Sequence, residues 1–588
     1  MLEKIKKLDK EILKKIYVIT MLVIMAIPFI LFFIFPSNST TENKKLTEMP
    51  IIADESGFNL GYMQELSKYF EDRFAFRIYM VDINSRIQAD IFKTSPEDDV
   101  IVGKNGWLFY SSTLDDYLGD NLSTNRELFA MAKNVKLMQD YAESKGAKFV
   151  FTIAPNKNSL YPEYMPGQYK NRIVQDASDA RRLEAFLEQT KVNYVNLFLA
   201  LHSDDNIYYL KGDSHWNKVG AVKGYNAILD KAEKNHDDYS GAKAEYVIGA
   251  AAGDLHGMLY PIKPIKEADF VYDKDYTYSY AYCDNKKPEK TIDETVLEKA
   301  ENEDVTYSEI ITRSDNGEGA LLMYRDSFGN ALIDLFSEEF ERSYFTKLEP
   351  YDLSDVDYIG ADTVVLEKVE RHIQSLGKVA PLMEAVDITE NEIAAKIIEL
   401  VEKDSDGEGE VNVLEENRMV SISGTVPEEL VNTTSAIYAL IADGEEIHLY
   451  EAFLLNENGY QLYLNNKNTD LGVKLFVADD KEIKVVCDEA NNELIVNTIN
   501  EIKRQEELKQ KEALEKAEKE EAERKAKEEA EKKAKEEEER LKAEKEEAEK
   551  KKSEKTIVSK VFYEDCGADT GYYEIVWSDG TVTYQDVY

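Results

Sequence analysis

The sequence predicts an α/β protein, a parallel sheet with helices on both faces. One transmembrane helix precedes it, and a small β-sandwich, a long charged helix and a C-terminal β-hairpin module follow. Three observations carry this. Ile16–Phe35 is almost wholly apolar after six lysines between Lys4 and Lys15. From 61 to 403, short β-rich runs alternate with helical ones. Beyond 411 the text changes to polar–apolar alternation and then to a run of Glu, Lys, Ala and Arg.

The elements follow in order. Residues 1–15 form a basic segment. At about 1.5 Å per residue, the apolar run 16–35 reaches about 30 Å, the thickness of a bilayer core. Lysines before the span set the N-terminus inside and the main body outside. The span ends Phe35-Pro36-Ser37-Asn38 without an Ala-x-Ala cleavage pattern, which favours an uncleaved anchor over a signal peptide. Residues 36–60 read as a polar stalk. Within 61–403, Lys148–Ile153, Val192–Leu197, Ala320–Tyr324 and Asp362–Leu366 read as buried strands, with helices expected from Phe328 and from Glu370. Residues 404–410 are a linker by composition, and 411–500 a β-sandwich-like domain. Residues 501–556 lack apolar residues at both a and d, so a coiled coil is disfavoured and a single charged helix serves as spacer. In 557–588, aromatic strands flank Ser578-Asp579-Gly580, a hairpin signal, with Val558–Tyr563 as a third strand.

Composition excludes several functions. The 588 residues hold 115 Asp plus Glu against 72 Lys plus Arg, a net charge of −43 that opposes a nucleic-acid partner. Three cysteines, with no Cys-x-x-Cys pair, argue against a thiolate zinc site and against a disulfide framework. No metal or cofactor motif is legible.

Two short motifs carry the chemistry. Asp213-Ser214-His215-Trp216 puts a carboxylate and an imidazole two residues apart; in extended chain they point the same way, so Asp213 can orient His215 as a base. Arg325-Asp326-Ser327-Phe328-Gly329-Asn330 places Ser327 where an apolar strand ends and a helix begins, a setting that suits an acyl-transfer nucleophile. Asp326-Ser327 as a plain helix cap, and His215 in a surface turn, are the bland alternatives.

The flanks of these motifs resemble a family. Gly103-Lys104-Asn105-Gly106-Trp107-Leu108-Phe109-Tyr110 looks like the entry motif of alginate O-acetyltransferase-like proteins in the SGNH hydrolase superfamily. Tyr208 to Trp216 resembles the Asp-His-His-Trp signature of a related group, with Ser214 in place of its first His. Gly253-Asp254-Leu255, Arg325–Asn330 and Val364–Arg371 also match, so the resemblance covers about 61–400. It implies an SGNH-like fold with Ser327 as nucleophile, His215 as general base and Asp213 as its orienter. It further implies acyl transfer at hydroxyls of a surface or secreted polysaccharide, beside a membrane-bound O-acyltransferase partner. The Ser327 N–H is one expected oxyanion donor; Asn156 and Asn330 are candidates for a second. Lys157, Tyr161, Trp216 and Arg325 are candidates for lining the glycan site, with a structural salt bridge the alternative for Arg325. An acetylesterase with the same triad and a non-catalytic glycan-binding scaffold are the rival readings.

Overall fold

The computed structural model describes residues 10–32, 34, 46–54, 57–120, 122–175, 177–284, 304–403, 407, 409–431, 434–444, 446–456, 458–465, 468–479, 481–490, 492–553, 555–564 and 571–587. Most of the basic segment 1–15, parts of the stalk 36–60 and most of the 404–410 linker lie outside them. The chain divides into two compact units, 1–498 and 499–588.

In the first unit, α1 (Lys10–Phe32) contains Ile12–Phe32, 21 residues of mean hydropathy 2.3, long and apolar enough to cross a membrane. The span therefore begins about one turn before the expected Ile16. The α/β body is built on seven strands: β1 (Lys148–Ala154), β2 (Tyr194–Val195), β3 (Ser279–Asp284), β4 (Glu309–Arg313), β5 (Ala320–Tyr324), β6 (Arg342–Thr346) and β7 (Thr363–Val369). Their order across the sheet is β2-β1-β7-β5-β6-β4-β3. The first five in that order run parallel, whereas β4 pairs antiparallel with β6 and β3 pairs antiparallel with β4. The sheet is thus mixed rather than purely parallel. Only residues 314–319 separate β4 from β5, too few for the crossover of a dozen or more residues that two parallel strands need.

Every residue of β5 and β7, and all of β1 after Lys148, is buried. Alternate residues of a strand face opposite sides, so both faces of the central strands are covered. The α-helix Lys218–Lys231 packs on β1, β2 and the 3₁₀ turn Phe328–Leu332. The capped helix Asn125–Ser144 packs on β1 and on the 3₁₀ segment Glu370–Gly377. The strand expected over Val192–Leu197 shrinks to Tyr194–Val195, because the Asn196 side chain accepts from Leu199 N–H (2.9 Å) and starts a helix at Leu197. The segments after Ser327 and Val369 begin as 3₁₀ turns, not as α-helix.

Two four-stranded antiparallel sheets over Asn412–Ala490 pack face to face through Val420, Ile422, Ile437, Leu462, Leu475 and Val477. Asn134 ties this sandwich to the body: its Nδ2 donates to the Leu376 and Leu454 carbonyls (2.8 Å each), and its Oδ1 accepts from Leu454 N–H (2.9 Å).

The helix Asn492–Ser553 runs into the second unit. Its surface carries i,i+4 pairs such as Glu521–Lys525 (2.8 Å) and Glu529–Lys533 (2.9 Å), which support helix without a core. The C-terminal module is an antiparallel sheet of Ile557–Glu564, Gly571–Trp577 and Val582–Val587.

Candidate active site

The residues level at the C-terminal ends of β1, β7 and β5 build the site. Register pairs Ala154 with Val369 and Leu366 with Tyr324. Ser327 follows Tyr324 by three residues, just past the end of β5. Asp326 fixes the turn that presents it: Oδ1 accepts from Phe328 N–H (2.8 Å) and Oδ2 from Val369 N–H (2.7 Å). The capping expected of Asp326-Ser327 is the work of Asp326 alone. The Ser327 side chain makes no cap bond; its Oγ lies 2.8 Å from His215 Nε2.

The other imidazole nitrogen, Nδ1, is 2.8 Å from Asp213 Oδ1, and the same oxygen accepts from the His215 N–H (2.8 Å). With an ionised carboxylate on Nδ1, that nitrogen carries the proton and Nε2 faces the hydroxyl as acceptor. Burial works to raise the Asp213 carboxyl, but its bonds to His215 and to Asp254 N–H outweigh it and hold the group below the usual range. Sequence reasoning quoted Asp254 without giving it a role. Its Oδ2 accepts from Ser214 Oγ (2.5 Å), its Oδ1 from Ser214 N–H (2.7 Å), and it stands 3.7 Å from His215 Nδ1. Burial and the neighbouring Asp213 charge push its carboxyl up. Asp213, His215 and Asp254 are also close enough to act as a ligand set, but the direct His215–Asp213 and His215–Ser327 bonds already occupy both ring nitrogens.

Lys157 holds the segment that carries Asp213. It is 4% exposed, and its Nζ donates to the carbonyls of Leu210 (3.0 Å), Lys211 (2.9 Å) and Asp213 (2.5 Å). Burial lowers its ammonium to about 7, against the pull of Asp213, Asp254 and Glu267. Below the same segment lies His256, its ring against Gly212, where a Cβ would meet the imidazole at about 2 Å. Only glycine lets the two approach.

The remaining sequence candidates separate by their partners. Trp216 is buried, and its Nε1 donates to the Phe328 carbonyl (3.2 Å), tying the His215 turn to the Ser327 turn. Tyr161 is buried against Trp107, and its hydroxyl accepts from Tyr208 N–H (2.8 Å). Arg325 is buried and forms no carboxylate bond among the described residues; it donates to the Tyr307 carbonyl (2.8 Å) and to Asn330 Oδ1 (2.5 Å). It braces a loop, in place of the expected glycan contact or salt bridge. Asn156 is fully buried, with its N–H on Glu370 Oε2 (2.8 Å) and its Nδ2 on Asp116 Oδ2 (2.7 Å). Lys157 and Tyr161 are likewise turned inward, away from a glycan surface. Arg371 went unassigned in the sequence; its guanidinium lies over the rings of Tyr110 (5.6 Å) and Phe328 (5.7 Å).

Residues 100–298 match the family described as the SGNH hydrolase-like domain of acetyltransferase AlgX. Within 100–298 the chain is SGNH hydrolase-like. The match includes Asp213 and His215; Ser327 lies beyond it and joins them through its hydrogen bond to His215 Nε2. Among solved structures, a DHHW family protein from Eubacterium siraeum is 18% identical over 47% of this chain and 94% of its own (TM-score 0.34). Bacillus cereus PatB1 with a sulfonyl adduct is 15% identical over 47% and 96% (TM-score 0.35). Pseudomonas aeruginosa AlgX is 12% identical over 70% and 98% (TM-score 0.31). No curated protein matches the chain in sequence.

Proposed function

We propose that the SGNH domain is a membrane-anchored O-acetyltransferase. On this reading it acts outside the cell on hydroxyls of a surface or secreted polysaccharide, through an acyl-serine. The single observation that supports this most is the unbroken chain Asp213 Oδ1, His215 Nδ1, His215 Nε2, Ser327 Oγ, with both links at 2.8 Å. His215 takes the Ser327 proton as Oγ attacks the acyl carbonyl, and returns it to the leaving group. A sugar hydroxyl, deprotonated by the same Nε2, then takes the acyl group from Ser327, and Nε2 returns the proton to the departing Ser327 Oγ. Asp213 holds the ring and offsets the charge that forms on it.

The Ser327 N–H is one oxyanion donor in this scheme. Asn330 serves better than Asn156 as the second: Arg325 fixes its oxygen and leaves its Nδ2 to donate, whereas Asn156 gives its Nδ2 to Asp116. A membrane-bound O-acyltransferase that delivers acyl groups across the bilayer fits the apolar helix α1, the one such helix among the described residues. An acetylesterase differs only in the final acceptor.

The test uses the full chain in detergent with p-nitrophenyl acetate, with and without oligosaccharide acceptors. Ester turnover lost in Ser327→Ala and His215→Ala, with acetylated sugar formed by the wild type, supports transfer. Turnover retained in both variants rules out this triad, and acetate as the only product points to the esterase.

A further inference from the structure

The helix Arg77–Arg86 is turned the wrong way round for a surface that meets only water. A helix lying on a soluble body normally gives its apolar stripe to the core. Here the side that meets the body carries Asp82, Ser85 and, in the turn that follows, Ala89, all buried. Polar contacts hold it there. Asp82 Oδ2 accepts from Arg86 Nε (2.7 Å), Asp82 Oδ1 accepts from Ile262 N–H (3.4 Å), and Arg86 Nη2 donates to the Lys263 carbonyl (3.0 Å). The outward stripe is apolar. Phe76, Tyr79, Met80, Ile83 and Ile87 recur three and four apart, so they share one face. A π-helical turn follows over Ile87–Phe92, and its wider i→i+5 spacing keeps Ile91 and Phe92 on the same stripe. All seven side chains are 43–67% exposed. At helical rise the stripe is about 25 Å long. A contiguous apolar face of this kind marks a protein or membrane contact.

The neighbour of the stripe shows what covers it. The apolar span Ile12–Phe32 is exposed along nearly its whole length. Its last residue is not. Phe32 is buried against Phe70 (ring centroids 4.9 Å) and Tyr69 (6.3 Å) on the helix Tyr62–Arg73. That helix packs in turn on Arg77–Arg86. A cavity of about 640 Å³, lined mostly by apolar side chains, has both Phe32 and Met80 in its wall. The apolar surface of the span therefore continues through this cavity into the stripe. A span matched to the hydrocarbon core ends at the headgroup level, so the stripe stands at that level too.

We propose that Phe76–Phe92 is an interfacial helix, its apolar stripe sunk into the headgroup–acyl boundary of the bilayer that α1 crosses. Helices of this type bury their apolar face about 5–10 Å into that boundary. The inference rests on the membrane-anchor reading and adds a second attachment to it. Span and stripe together hold the body to the bilayer and limit its tilt.

The test reconstitutes the full chain in bilayers of phosphatidylcholine, plain or brominated near the headgroup end or near the tail end of its acyl chains. Ile83→Trp and Ile87→Trp on the stripe, and Val23→Trp near the middle of the span, each add emission over that of the wild type. The emission added by Ile83→Trp and by Ile87→Trp is expected to be mostly lost with bromine near the headgroup end and kept in aqueous iodide. That added by Val23→Trp is expected to be mostly lost with bromine near the tail end. Quenching of Ile83→Trp and Ile87→Trp by iodide, and by neither brominated lipid, overturns the interfacial helix. Protection from iodide and from both lipids marks a second copy of the chain on the stripe and overturns it as well. Val23→Trp reports on the anchor by itself. Its quenching by iodide sinks the membrane-anchor reading and this inference with it, whereas tail-end quenching there beside aqueous Ile83→Trp and Ile87→Trp sinks the interfacial helix alone.

Discussion

Replacing Lys157 with Met separates positioning from stability. The unbranched Met side chain fills the space of the lysine stem beside Trp107 and Phe109. Three carbonyls lose their ammonium donor, but Lys211 O keeps the Leu108 N–H (2.8 Å). The Leu210 and Asp213 carbonyls are left without it, at about 1–3 kcal/mol each, or about 4 kcal/mol together. Against this stands the relief of an ammonium held near 7 instead of 10.5, worth about 5 kcal/mol. The two nearly cancel, so global stability should change by less than about 3 kcal/mol. The catalytic turn has no such compensation. Asp213 sits on the released segment, and a displacement of about 1 Å in a catalytic group costs about 100-fold in rate. Chemical denaturation alongside kcat/KM for p-nitrophenyl acetate is the assay. A fall of about 100-fold with small stability loss is expected. Activity within about three-fold of wild type, or a rate loss that merely tracks unfolding, would refute the reasoning.

Asp213→Asn keeps the shape of the site but lets Nδ1 face a donor; kcat should fall between about 100- and 10,000-fold in the same ester assay. The Asp213 carboxyl is held below its usual range, so its stabilising effect is present above about pH 4 and is lost as pH falls through the folded value. The denaturation difference between wild type and Asp213→Asn should shrink in that window. Asp116 runs the other way. Its folded value is raised to about 7, so stability declines as pH climbs from about 4 to about 7, where only the unfolded carboxyl has ionised. Asp116→Asn should gain stability over wild type at pH 8 and not at pH 4. Trp216→Phe removes the Nε1 bond to Phe328 O; a stability loss of about 1 kcal/mol and a lower kcat with unchanged KM are expected.

Much of this architecture is legible locally. Ala320–Tyr324 is an unbroken apolar run that both faces of a covered sheet require, and the chain forms β5 over those same residues. The charged run 501–556 reads as helix because Glu and Lys recur three and four apart, a local rule that needs no tertiary partner. Local text fails where long-range contacts decide. Val192–Leu197 reads as strand by composition, yet the Asn196 cap ends the strand after Val195 and starts a helix at Leu197. The antiparallel pairings of β4 with β6 and of β3 with β4 are long-range, and no local pattern encodes them. The Asp-x-His and Asp-Ser pairs are visible as motifs, but their meeting across 112 residues is a property of the fold. Lys157 and Arg325 read as surface cations because burial of a charge cannot be seen in sequence; each is drawn inward by backbone carbonyls. The Gly253-Asp254-Leu255 motif was the available signal for Asp254, whose contact with Ser214 is also long-range.

The most direct test of the central claim is intact-mass and peptide mapping of the full chain quenched during turnover of p-nitrophenyl acetate. The account predicts a mass gain of one acetyl group, located on Ser327, accumulating in His215→Ala far more slowly than in wild type and absent from Ser327→Ala. Acetyl on another residue during turnover, or turnover with the Ser327→Ala chain at the wild-type rate, would contradict it.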